Sequence, residues 1–165
     1  MTREWSKLGE SKYYFSVDNN KIGEMEITLN SFDSKATCQI GDEKFIIRRT
    51  GFWKNSIEIV NSKEEVVVKT YFEKWYANSS VLEYGGKKYK LIIHNNPLAE
   101  YSITDGGNNM IAYGLHTGNK KIGVKITCDN NNKDFLLDFL LWYLFVPIAT
   151  ENIGSSFTFI MLLNN

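Results

Sequence analysis

The chain has 165 residues, 43% of them hydrophobic, and its 19 basic side chains are matched by 19 acidic ones. That length suits one domain whose core buries roughly 68–70% of the unfolded surface. A formal charge of zero excludes a sequence-wide pull toward nucleic acid or anionic membrane, and with arginine only at positions 3, 48 and 49, bidentate phosphate recognition is not a main theme.

The opening stretch, MTREWSKLGESKYYF, holds no apolar run of the kind that leads a secreted chain, so a cytoplasmic protein is expected. From there apolar and polar residues alternate at a period of two, the pattern of half-buried strands. Strands are predicted over Tyr13–Val17, Glu24–Leu29, Ser34–Ile40, Lys44–Arg49, Ser56–Val60 and Glu65–Phe72. They continue over Ser80–Tyr84, Lys87–Ile93, Glu100–Thr104, Met110–Gly114 and Lys121–Cys128, with a last one at Ser156–Leu163. Turn formers such as Asp18-Asn19, Gly41-Asp42, Gly85-Gly86, Asn95-Asn96-Pro97 and Gly106-Gly107 separate them. Cys38 and Cys128 fall at inward positions of their strands and are read as buried free thiols.

Lys133–Ala149, KDFLLDFLLWYLFVPIA, is different: a helix, placed at about 133–148, that is apolar on every side. Asn131, Asn132 and Asp134 suit its start, and Pro147 is expected to close its last turn. From Phe135 to Ala149 it would run about 22 Å, against about 30 Å of bilayer hydrocarbon. Asp138 inside it adds about 2.5–3.5 kcal/mol to any insertion. A protein sheath is therefore expected rather than lipid. About eight strands already make a barrel as wide as its own side chains can fill. A wall of about twelve needs a plug, and this helix is the object for it. The predicted fold is mainly β: a closed antiparallel barrel of about twelve strands around a buried hydrophobic helix, as one domain.

That arrangement resembles the tubby C-terminal-like superfamily, which includes tubby proteins, LURP-one-related proteins and phospholipid scramblases. The resemblance covers roughly Lys21–Asn152. It rests on the strand count, on units such as Tyr101-Ser102-Ile103-Thr104-Asp105-Gly106-Gly107-Asn108-Asn109-Met110-Ile111-Ala112, and on Phe135–Ala149. It implies a barrel that binds phosphoinositides or acts at membranes; no enzyme activity and no cofactor are expected. No phosphoinositide-contacting residue carries over by alignment. In the family the helix stands at or near the chain end, whereas here residues including the apolar Phe157–Leu163 follow it.

Candidate site residues are few. Arg48, Arg49, Trp53 and Lys54 combine cations with aromatics, the composition expected at an anionic lipid headgroup. Phe72-Glu73-Lys74-Trp75-Tyr76 is a second aromatic cluster, read as loop packing over the core. Asp138 is the buried polar residue of interest, expected to be hydrogen-bonded by backbone amides or a lysine. His94 and His116 lie apart, His116 in a loop-like stretch, and with no HxH or HxxxH spacing no metal site is expected. No nucleophile elbow, P-loop or dinucleotide fingerprint is present. The leading expectation is a tubby-like barrel that binds anionic phospholipid at a membrane surface. A structural or protein-interaction module and a carrier of a small hydrophobic ligand are the alternatives.

Overall fold

A computed structural model describes residues 1–29, 34–73, 79–94, 98–118, 121–129 and 133–153. Its strands are β1 (Arg3–Lys7), β2 (Lys12–Val17), β3 (Asn20–Leu29), β4 (Ser34–Ile40), β5 (Glu43–Thr50) and β6 (Ser56–Asn61). Then come β7 (Val66–Tyr71), β8 (Ser79–Tyr84), β9 (Lys87–His94), β10 (Glu100–Asp105), β11 (Asn108–Gly118), β12 (Lys121–Cys128) and the helix α1 (Leu136–Ile153). Each strand pairs antiparallel with the next, giving one 12-stranded sheet in chain order that curls into a nearly closed barrel.

The period-two pattern sets the register. Across β3 and β4, Met25 faces Cys38 and Ile27 faces Ala36, all buried, while Glu26 faces Thr37 on the outside. Cross-strand ion pairs lace the outer wall, including Lys12–Glu24 at 2.8 Å and Arg48–Glu58 at 3.2 Å. Register shifts at Phe15/Ser16, Ile59/Val60 and Ile103/Thr104 supply the local bends that a curling sheet needs.

An up-and-down meander sorts its connections onto two ends. One end, the turn end, holds 18–19, 41–42, 62–65, 85–86 and 106–107. Asp18, Asn19, Gly41, Gly85, Gly86, Gly106 and Gly107 adopt positive φ there, as tight hairpins of this hand require. The opposite loop end receives 8–11, 51–55 and the chain beside Phe72, Leu98 and Ile122.

The helix follows β12 at the turn end and runs through the barrel to the loop end. From Leu136 to Val146 every side chain is buried except the half-buried Leu144. Rings from the wall meet it on several sides: Trp5 stacks on Trp142 at 5.2 Å, Phe15 meets Phe139 at 5.8 Å and Tyr101 meets Phe145 at 5.6 Å. Burial of each such side chain contributes roughly 1.5–3 kcal/mol. Gly23 on β3 lets Phe139 approach the wall, since a Cβ there would stand 2.9 Å from its ring.

Several expectations need correction. β1 was not predicted: its inward Arg3 breaks the apolar alternation. β11 continues to Gly118, so His116 lies on a strand, paired with Gly123. Cys38 is buried as expected, but Cys128 at the end of β12 is only half-buried. Pro147 does not end the helix. It stands exposed as α1 leaves the barrel, and Thr150 Oγ1 donates to the Val146 carbonyl (2.8 Å) while Asn152 Nδ2 donates to that of Ile148 (2.8 Å). The predicted Asn95-Asn96-Pro97 turn, the capping Asn131 and Asn132, and the strand at Ser156–Leu163 lie outside the described residues.

Candidate functional site

Among the described residues, the loop end gathers most of the large apolar side chains that stand exposed. Leu8, Phe52, Trp53, Phe72, Leu98 and Ile122 are all exposed there, whereas Met1 and Val66 lie at the turn end and Ile46 on the outer wall. Phe52 is 90% and Trp53 80% exposed, at the tip of the β5–β6 loop. Gly51 (φ 85°) and Lys54 (φ 50°) turn the chain back, and Lys54 N–H donates to the Gly51 carbonyl at 3.0 Å. The two rings pack edge to face at 4.9 Å and meet solvent together.

Of the candidate cations, Arg49 and Lys54 belong to this rim. Arg49 follows Phe45 and Ile47 on the inward side of β5 and holds its guanidinium 6.0 Å from the Tyr143 ring of the helix. Tyr143 in turn donates its hydroxyl to the Ser34 carbonyl at 2.7 Å. Arg48 faces the outer wall, paired with Glu58, so alternation along β5 parts it from Arg49. Phe72 is exposed rather than packed over the core, and Lys74, Trp75 and Tyr76 of its cluster lie outside the described residues.

Asp138 stands in the first turn of the helix, 0% exposed, and its side-chain partner is neither backbone nor lysine. Arg3 of β1, itself 2% exposed, donates from Nη1 to Asp138 Oδ2. The Tyr113 hydroxyl donates to Oδ1 at 2.8 Å and accepts from Trp5 Nε1 at 2.9 Å. Burial pushes the Asp138 carboxyl up to about 6, against the pull of Arg3 and Tyr113. Burial also drives the Tyr113 hydroxyl well above its ordinary value, so it stays a donor.

This chain of groups ties β1 to β11 and to the helix. β1 and β12 are the two ends of the sheet. The enclosed charge pair holds the first strand against the helix.

His94 and His116 are exposed on separate strands, and no cluster of three metal-ligating side chains exists among the described residues. Burial raises the Cys38 thiol strongly and lifts Cys128 to about 11. Neither is poised as a nucleophile. No helix among the described residues is long and apolar enough to cross a membrane. No protein-family model, curated protein or solved structure matches the chain.

The loop-end rim was only partly readable in advance. Phe52 and Trp53 stood out by composition, but Leu8, Leu98 and Ile122 did not. Strand parity was the available signal: in a meander, alternate connections share an end.

Proposed function

We propose that this protein is a non-enzymatic, tubby-like barrel that docks on anionic membrane surfaces through its loop end, with the β5–β6 loop as the point of entry. The observation that carries this reading is the pair Phe52 and Trp53, almost wholly exposed beside Arg49 and Lys54. Large rings without cover lose free energy in water, and rings flanked by cations suit the headgroup layer. The likeness to tubby proteins rests on architecture, a 12-stranded antiparallel wall around one hydrophobic helix.

The charge pattern limits the electrostatic share. Arg49 and Lys54 are the cations that this loop brings to the rim, Arg48 being paired with Glu58 on the wall, while Glu10, Glu73, Glu100 and Glu151 stand exposed elsewhere at this end. Attraction to anionic lipid is thus local, at about 1 kcal/mol per cation near the surface, and apolar insertion carries the rest.

Co-sedimentation with vesicles of phosphatidylcholine, with and without phosphatidylserine, tests the reading. The protein is expected to bind both, more tightly with phosphatidylserine. Phe52→Ser/Trp53→Ser should abolish binding without changing the melting temperature, and Arg49→Glu/Lys54→Glu should remove the phosphatidylserine preference. Absence of binding to either vesicle refutes it and favours a protein-interaction module.

A further inference from the structure

Across β8, β9 and β10 the outer wall sinks into a hollow of about 420 Å³, within the roughly 300–1,000 Å³ of small-ligand sites. Strand register sets out its floor. Val81, Lys90 and Thr104 stand abreast on neighbouring strands, and the next outward row toward the loop end is Ser79, Ile92 and Ser102. Both rows face away from the helix: Leu82, Leu91 and Ile103, which alternate with them, belong to the core, and Val81 and Ile92 do not.

Two polar groups of this floor are uncommitted. Among the described residues no acid pairs with Lys90, and the Thr104 hydroxyl has no hydrogen-bond partner although the residue is only 7% exposed. Opposed residues on neighbouring strands hold their Cβ atoms about 4.5–5.5 Å apart, so one small anion can meet both the Lys90 ammonium and the Thr104 hydroxyl. Lys88 is already engaged, its ammonium 3.3 Å from Glu83 and 3.2 Å from the Tyr71 hydroxyl. Glu73, exposed on the loop-end side, repels a second negative charge. Val81 and Ile92 flank the Lys90 stem with apolar surface, and Gly106 and Gly107 bound the turn-end side without side chains, which leaves an entry there.

We infer that this hollow binds a small aliphatic monocarboxylate, its carboxylate on Lys90 and Thr104 and its chain over Val81 and Ile92. Inorganic phosphate fits worse, because it brings a second negative charge beside Glu73 and has no chain for the apolar floor. The site lies on the wall, apart from Phe52 and Trp53, and does not rest on the membrane-docking reading.

Titration of the full, isotope-labelled chain with hexanoate, followed through amide NMR signals, tests the inference, with hexanol, hexylammonium and inorganic phosphate for comparison. Hexanoate is expected to give saturable shifts at Val81, Lys90, Ile92 and Thr104, and the other three compounds to bind about tenfold more weakly. Lys90→Gln should weaken hexanoate about tenfold, and Thr104→Val, which keeps the shape and removes the hydroxyl, severalfold. Lys90 is exposed, so its variant should melt as the parent does. Phe52→Ser/Trp53→Ser should bind hexanoate like the parent. Absence of saturable shifts at these residues overturns the inference, and so does hexanol, hexylammonium or phosphate binding as tightly as hexanoate. Unchanged affinity in Lys90→Gln overturns it too, and each of these results leaves the vesicle test of the docking reading standing.

Discussion

Replacing Arg3 by Met extends the pH dependence of the fold's stability to higher pH. The substitution keeps an aliphatic stem and removes the guanidinium that meets Asp138. In the parent, burial sets the folded carboxyl at about 6 against 3.8 for the unfolded chain. The folded state holds its proton longer, so this group's contribution is fully present below about 4 and is lost as pH rises to about 6. Each pH unit costs about 1.4 kcal/mol, or about 3 kcal/mol in all, and the curve is flat above. Without Arg3 the opposing attraction goes while the burial stays, so the folded value rises further and the decline continues past pH 6. The extra cost of Arg3→Met, relative to its cost at pH 5, should therefore grow as the pH rises through 6 toward 8. Urea unfolding of both proteins from pH 5 to pH 8 measures it, and other titrating groups cancel in the difference. Arg3→Met/Asp138→Asn, with no carboxyl left, should show none of the added slope. An Arg3→Met cost that is the same at pH 5 and pH 8, or a slope that survives in the double variant, refutes the reasoning.

Two further outcomes follow from the packing. Gly23→Ala would bring a Cβ within 2.2 Å of the Gln39 carbonyl oxygen and 2.9 Å of the Phe139 ring, so β3 must move from β4; chemical denaturation should show a loss of at least about 1–3 kcal/mol. A thiol reagent at neutral pH should leave Cys38 untouched until the chain unfolds, because burial both shields it and raises its thiol, and should modify the half-buried Cys128 slowly, faster as pH approaches 11.

Most of the wall was legible because each strand states its own inside and outside within a few residues. Met25, Ile27, Cys38 and Ile47 point inward for reasons that their neighbours alone supply. The helix was legible for a related reason, since a rod with no polar side must be sheathed. β1 was not. Its sequence, Arg-Glu-Trp-Ser-Lys, puts an arginine where the alternation demands an apolar residue, and only a carboxylate 135 positions away makes that burial tolerable. The same distance hid the meaning of Asp138. Seen alone, a carboxylate in an apolar helix calls for any donor, and backbone amides or a lysine answer as well as anything. The enclosed site narrows the choice: it must supply a donor that stays charged when stripped of water. Arginine keeps its proton under those conditions more firmly than lysine does. Of the three arginines, Arg48 and Arg49 stand near the loop end, while Asp138 lies a turn inside the opposite end. Arg3 was therefore the one candidate, and pairing it with Asp138 would have placed β1 in the barrel before any strand pattern did.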